Sequence, residues 1–296
     1  MPEGRCAWFG SGARPTVSTS RWQGPSPARK GYPLTTSATH PLTEQDLLQR
    51  LDKSRLPRHV AVIMDGNGRW ARGQGQPRLE GHRASRQSVR ETVRVCNDLG
   101  IEFLTLYTFS AENWRRPPAE VAALMALIEE TLKAETAELH QNQVAVAHLG
   151  VTDGLPASLL EVLDRAAELT RHNTGLKLYL AINYGGRQEI AAAAAALARE
   201  VMAGTLSLEE ITEENLRKRL YRPELPDPDL LVRTGGDLRI SNYLLWQMAY
   251  TEIYVTPVLW PDFRKVHLLE GLLDYQGRQR RFGGVMEPRM SDQCNG

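Results

Sequence analysis

Six short apolar runs set the limits on how this chain folds. They lie at residues 59–63, 101–109, 144–149, 176–182, 230–232 and 253–255. Runs of this length, rich in Val, Ile and Leu, read as buried strands. Longer segments with helical spacing separate them. Over residues 83–99, Val89, Val93, Cys96 and Leu99 form one stripe, and Gly100 is placed as a C-terminal cap. Pro117 and Pro118 open an amphipathic helix to His140, with Val121, Leu124, Met125, Ile128 and Leu132 on one face. Further helices are predicted over 155–172, 187–202 and 241–247, and from Pro261 to Tyr275. Thr43 caps a first helix carrying Leu47, Leu48 and Leu51, which Pro57 ends. Strands alternating with helices predict the α/β class: a single domain with a mostly parallel six-stranded sheet covered by helices.

The ends differ in kind. Residues 1–43 are rich in Ser, Thr, Gly, Pro and Arg, with Glu3 the one acidic residue, and are expected to be a disordered extension. The folded catalytic domain is expected over 44–284, and 285–296 as a disordered tail. Cys6, Cys96 and Cys294 lack metal-ligand spacing and imply a reducing, cytoplasmic setting. No apolar run reaches the roughly 20 residues of a membrane span. A net charge of +1 argues against nucleic acid as a partner.

The most chemically loaded stretch ends the first strand: His59-Val60-Ala61-Val62-Ile63-Met64-Asp65-Gly66-Asn67-Gly68-Arg69-Trp70. In open α/β sheets, ligands bind beyond the carboxyl ends of the strands, which is where Asp65 falls. Gly66 and Gly68 let backbone N–H groups approach an anion. Arg69 adds a fork of donors for phosphate oxygens. A carboxylate beside such a cradle suits a diphosphate carried with magnesium. An Asp after a strand is also a common helix cap, so these residues alone leave both readings open. Neither the Walker pattern nor G-x-G-x-x-G is present.

Further polar clusters follow. Arg78, His82 and Arg83 come next, with Arg78 and His82 on one helical face if the helix begins early; a solvated basic surface is the alternative. Ser110-Ala111-Glu112-Asn113-Trp114-Arg115-Arg116 follows the second strand. Arg233-Thr234-Gly235-Gly236-Asp237-Leu238-Arg239-Ile240-Ser241 follows the fifth. It sets two Arg around a Gly-Gly turn, with Ser241 as a helix N-cap, and makes a second candidate anion site. Glu252 adds a carboxylate beside the sixth strand. Two anion sites and two candidate metal carboxylates suit a reaction between two diphosphates.

The segments HVAVIMDGNGRWA, TFSAENWRRP, INYGGR, LLVRTGGDLRISNYLLWQ and YTEIYVTPVLWPDF, in this order, resemble the cis-prenyltransferases, the family of bacterial undecaprenyl diphosphate synthase (isoprenyl transferase). The likeness runs from residue 56 to 284. It implies a magnesium-dependent, homodimeric, cytoplasmic enzyme that adds isopentenyl diphosphate to farnesyl diphosphate in cis configuration and releases its product to the membrane surface. By resemblance, Asp65 is the essential carboxylate and positions Mg2+. Gly66, Asn67, Gly68, Arg69, Arg78 and His82 hold the allylic diphosphate, and Trp70 lies with them in the binding site. Arg233, Arg239 and Ser241 hold isopentenyl diphosphate, Ile240 is a further substrate-binding residue, and Glu252 is a second magnesium-linked position. Asn113 assists proton removal, with Ser110, Ala111, Glu112, Trp114 and Arg116 around it. Arg281-Phe282-Gly283 matches a motif that reaches a neighbouring subunit. Ala111 and Leu238 depart from the residues common at their positions.

A hydrocarbon product needs an apolar tunnel, which the 118–140 helix and the sheet are placed to line. Thr108 and Ala181 are small, and alternation puts Thr108 on the face of Ser110. An open cavity there favours a long product such as undecaprenyl diphosphate, with Leu176 as a deeper floor. Rival readings are a non-catalytic partner subunit of the same fold, which would have lost Asp65 or its cradle, and a phosphate-ester hydrolase with Asp65 as nucleophile, which lacks a second Asp two residues on.

Overall fold

The computed structural model describes residues 43–278. The expected terminal tails apart from Thr43, residues 279–284 of the expected domain with their Arg281-Phe282-Gly283 motif, and Cys6 and Cys294 lie outside these. In chain order the elements are α1 (Glu44–Arg50), β1 (His59–Ile63), α2 (Asn67–Gly73), α3 (Arg78–Ala84), α4 (Arg86–Asp98), β2 (Phe103–Ser110), α5 (Pro118–Gln141), β3 (Ala145–Leu149), α6 (Ala157–Thr170), β4 (Lys177–Tyr184), α7 (Gly186–Met202), α8 (Glu213–Arg217), β5 (Leu230–Arg233), β6 (Glu252–Val255) and α9 (Lys265–Gly277). The six strands form one sheet in the order β3-β4-β2-β1-β5-β6, and every pairing is parallel. The described residues fall in one compact unit.

Alternation along β1 assigns the two faces. Val60 and Val62 join Leu104, Leu106 and Val232 beneath α4 and α9, through Val93, Cys96, Leu268 and Leu272. Ala61 and Ile63 point to the other face and pack with Tyr179, Ala181, Tyr243 and Leu244. A third cluster joins α5 and α6 over β3 through Leu124, Leu159, Val146 and Ile182. The central strands β1, β2 and β5 are apolar on both faces because helices or loops cover both, whereas the edge strand β6 leaves Ile253 exposed. Thr43 closes a capping box with Asp46, as its position before the first apolar periodicity predicts.

Three expectations change. The segment 83–99 is divided between α3 and α4, which meet at Ser85, whose Oγ donates to the His82 carbonyl, and the apolar stripe lies on α4. Residues 241–247 form no helix. Ser241, Asn242 and Leu244 have φ of +51°, +60° and +43°, which right-handed helices exclude, and the Asn242 carbonyl accepts from the distant Gly186 N–H at 2.7 Å. Ala181 lies on the sheet face opposite α5, so it leaves no room beneath that helix.

β2 carries a bulge. Tyr107 pairs with Ala181 but Phe109 pairs with Ile182, so two residues oppose one. Alternation fails beyond that point.

Candidate active site

Asp65 leaves β1 at its carboxyl end, beside the end of β5, because Ile63 is in register with Arg233. Its backbone is pinned by Thr234, whose Oγ1 accepts from Asp65 N–H at 2.9 Å and donates to the Asp65 carbonyl at 2.7 Å. The carboxylate accepts from Arg233 Nη2 at 2.8 Å, and Arg69 Nη2 lies 3.3 Å away. Burial works against its ionisation. The Arg233 hydrogen bond and charge, with the Arg69 charge, outweigh that and hold the carboxyl below its ordinary range.

Two glycines make this approach possible. Gly66 has φ of +110°, and a Cβ there would lie 2.9 Å from Leu259 Cδ2. Its N–H is occupied by Asp65 Oδ1 at 2.6 Å, so it is not a free anion donor. Gly235 has φ of +82°, and a Cβ there would sit 2.3 Å from Arg69 Nη2. The bare backbone lets Arg69 reach the Gly235 carbonyl at 2.6 Å.

Around Asp65 the two halves separate. On one side, Arg233 is buried, and its Nη1 donates to Ser241 Oγ at 2.9 Å and to the Arg239 carbonyl. Ser241 acts through this hydrogen bond and not as a helix cap. Arg239 is exposed and pairs with Asp237 at 2.6 Å. Asp237 also lies 3.5 Å from Arg233 and 3.8 Å from Arg69. Ile240 packs toward the Tyr179–Tyr243 cluster.

On the other side, Asn67 opens α2, and its Nδ2 donates to the Met64 carbonyl at 3.2 Å. Arg78 Nε and Arg116 Nη1 both approach Glu120 Oε1, at 3.3 and 3.2 Å. His82 stands between these arginines. Burial first, then the Arg116 and Arg78 charges, lower its pKa to about 4, so the ring is neutral at pH 7. Gly68 and Arg78 border an open polar hollow with Arg72 and Gln76. Trp70 turns away and donates to Asp262 Oδ1 at 2.9 Å.

An apolar cavity of about 210 Å³ runs from this side under α5. Asn67, His82, Asn113 and Arg116 stand at its polar end, and Leu106, Thr108, Leu124, Ile128, Leu178 and Leu180 line its length. Thr108 reaches the cavity on the side of Leu106, two residues before it, and the bulge begins at this residue. Leu176 packs in the core under α4 instead of lining the cavity. Asn113 Oδ1 accepts from the Ser110 N–H at 3.1 Å and closes a short 3-10 turn, Ala111–Arg115. Ala111 opens that turn. Trp114 donates to Asn183 Oδ1 at 2.8 Å, and Glu112 accepts from Asn242 at 2.6 Å.

Buried polar atoms with no hydrogen-bond partner among the described residues include Asn67 Oδ1, His82 Nε2 and Arg233 Nε. All three flank the site, which suits a polar ligand there. The arginines and Asp65 suit an anion with a divalent ion. Among the described residues no group of three or more His, Cys, Asp or Glu side chains is placed to hold a metal. Magnesium does not require one, since it commonly uses one or two carboxylates with substrate phosphates and water.

Glu252 is not brought to this centre within one chain. It starts β6 opposite Leu230, roughly 16 Å back along the strands and two strands across from Asp65. Its carboxylate accepts from Arg278 at 2.8 Å.

The family profile described as "Putative undecaprenyl diphosphate synthase" matches residues 63–283. The chain belongs to this family. It is 48% identical over 242 residues to an isoprenyl transferase of Heliobacterium mobile, covering 82% of this chain and 93% of that one. Against an isoprenyl transferase of Shouchella clausii it is 49% identical over 243 residues, covering 82% and 95%. The fold superposes on lavandulyl diphosphate synthase from Lavandula x intermedia, in complex with dimethylallyl diphosphate, with TM-score 0.76 and 35% identity over 78% of this chain and all of that one. A "probable undecaprenyl diphosphate synthase" from Campylobacter jejuni gives TM-score 0.65 and 32% identity, covering 77% and 99%. As a member of the undecaprenyl diphosphate synthase family the protein is a prenyltransferase of the isoprenyl transferase type.

Sequence reasoning missed three residues of this family site: Thr234, Asp237 and Glu120. Glu120 had a signal, since it lies four residues beyond Arg116 at helical spacing. Asp237 stood inside a quoted stretch, but only the fold shows it facing three arginines.

Proposed function

We propose that the protein condenses isopentenyl diphosphate with farnesyl diphosphate in cis configuration, making a long polyprenyl diphosphate of undecaprenyl class as precursor of a lipid carrier for cell-wall synthesis. One observation carries the reading: two arginine-lined half-sites meet at Asp65, and an apolar cavity leads away from one of them. The allylic diphosphate takes the side of Arg78, His82 and Arg116, with its hydrocarbon in the cavity. Isopentenyl diphosphate takes the side of Arg233, Arg239 and Ser241. Asp65, with the substrates' phosphate oxygens, would hold Mg2+, which supplies charge neutralisation of the leaving diphosphate.

The chain's own groups do the rest. Arg69, Arg78 and Arg116 stabilise the negative charge that develops as the allylic carbon–oxygen bond breaks. Neutral His82 can donate a hydrogen bond to the same oxygens. The double bond of isopentenyl diphosphate attacks the allylic carbon as its bond to the diphosphate oxygen breaks, and Asn113, at the cavity mouth, orients the proton that then passes to the departing diphosphate. The apolar wall keeps water from the cation.

A shorter product is the second reading. The cavity exceeds the ~150 Å³ that holds a benzene ring but in this shape does not enclose a long polyprenyl tail. The protein is further proposed to act as a cytoplasmic homodimer that delivers its product to a membrane surface. No described helix is long and apolar enough to cross a membrane. Purified protein, radiolabelled isopentenyl diphosphate, farnesyl diphosphate and Mg2+ test the reading. Incorporation into a butanol-soluble product is expected, and chromatography of the dephosphorylated chains separates the two product lengths. No incorporation by the protein alone would favour a non-catalytic partner subunit.

A further inference from the structure

Asn242 sits where the two half-sites touch. Its backbone is left-handed, with φ of +60°, a conformation that Asn tolerates better than most residues. Four hydrogen bonds hold it there. Its Nδ2 donates to Glu112 Oε1 at 2.6 Å and to Gln188 Oε1 at 3.1 Å. Its Oδ1 accepts from the Arg187 N–H at 2.8 Å, and its carbonyl accepts from the Gly186 N–H at 2.7 Å. A strained residue fixed from several directions is held for a reason beyond the turn itself.

Its neighbours on either side carry the chemistry. Ser241, the preceding residue, accepts from Arg233 through Oγ, and its carbonyl accepts from Tyr107 OH at 3.3 Å. Glu112, the hydrogen-bond partner, belongs to the turn that presents Asn113 to the cavity. Asn183, also left-handed at +52°, anchors that turn a second time through Trp114. The turn is thus gripped by two asparagines that flank the junction of β4 and α7.

We propose that Asn242 is a positioning residue that couples the isopentenyl diphosphate side to the 111–115 turn of the allylic side, through its hydrogen bond to Glu112. The inference rests on the two-substrate reading above. Ordering Ser241 around a diphosphate fixes the direction of the adjacent Asn242 amide, and the Glu112 bond passes that order to Asn113. Such coupling is reciprocal, so each substrate tightens the binding of the other.

The test uses full-length protein with Mg2+, isopentenyl diphosphate and farnesyl thiodiphosphate, a slowly reacting allylic analogue. In the wild type the analogue is expected to tighten isopentenyl diphosphate binding. Asn242→Gly keeps the positive φ accessible and removes only the side chain. It is expected to abolish that tightening: because the coupling is reciprocal, the Kd of each substrate measured with the other present should rise about tenfold, while each Kd measured alone stays within about twofold of wild type. Glu112→Gln combined with Asn242→Gly should cost less than the two separate losses together. Asn242→Asp faces Glu112 with a like charge and should be worse than Gly; adding Glu112→Gln restores a donor and should recover part of the loss. Wild-type behaviour of Asn242→Gly, or strictly additive losses, would overturn the proposal and leave Asn242 a backbone role only. If Asn242→Gly does not fold, the Asp–Gln exchange decides, and no recovery overturns it. A wild-type protein that incorporates no isopentenyl diphosphate overturns the functional reading and this inference with it, an outcome distinct from the others.

Discussion

Arg233 donates through Nη2 to Asp65 Oδ2 at 2.8 Å, across 168 residues of sequence, and its side chain is only 3% exposed. The candidate catalytic carboxylate is therefore also the counter-ion of a buried guanidinium. Adjacent parallel strands impose the pairing, since β1 and β5 end side by side. The site and the core thus share one ion pair, and substitutions at Asp65 act on both.

Asp65→Ala should abolish turnover and lower stability by about 1–3 kcal/mol, because a buried cation loses its charged partner. Asp65→Asn keeps an acceptor for Arg233 and should be equally inactive but closer to wild type in melting temperature. Turnover and thermal melting of both variants check this. Near-normal activity of Asp65→Ala would remove the residue from the mechanism.

Arg239→Ala should raise KM for isopentenyl diphosphate more than that for farnesyl diphosphate. Arg239 lies on the Ser241 side, exposed and paired with Asp237. A lost charge-assisted contact costs ~1.5–3 kcal/mol, roughly ten- to a hundredfold. Steady-state kinetics with each substrate varied decide, and equal effects on both would contradict two separate half-sites.

Thr108→Leu should shorten the product while leaving the first condensation near its normal rate. Thr108 lines the cavity beside Leu106 and Leu180, so added methyl groups narrow it. Reversed-phase chromatography of dephosphorylated products reads the chain length. An unchanged distribution would place the limit deeper, where Leu178 borders the same cavity.

Stability should fall as pH drops from about 6.5 toward 4. Burial, partly offset by the bond to the Pro226 carbonyl, lowers the pKa of His59 to about 4, and His82 is lowered to about 4 as well. The unfolded chain takes up these protons near pH 6.5, where the folded chain still refuses them. The contribution is thus fully present above 6.5 and is lost on acidification. Urea midpoints at pH 7.5, 6 and 5 measure it, before most carboxylates titrate. His82→Asn should flatten the slope in part; a midpoint that rises over this interval would refute the assignment.

By itself, the sequence determined the α/β class, the six strands, the long helix behind Pro117 and the residues at the strand ends. These follow from local rules: apolar run length, helical spacing, caps and glycine turns act over a few neighbours. Even the placing of Arg78 and His82 on one face of α3 followed from their four-residue spacing. Only the tertiary structure decided which polar residues meet. Glu252 looked equivalent to Asp65 in type and setting, yet parallel register puts it at the opposite end of the sheet against Arg278. Ser241 read as a helix cap, but hydrogen bonds from Gly186 and Arg187 to Asn242 hold the chain in left-handed turns instead. Ala181 and Thr108 looked alike in size, but Ala181 packs on the sheet face away from α5 while Thr108 lies with Leu106 against the cavity. Strand order, register and long-range hydrogen bonds are set by the packing of whole faces, and no window of neighbouring residues contains them.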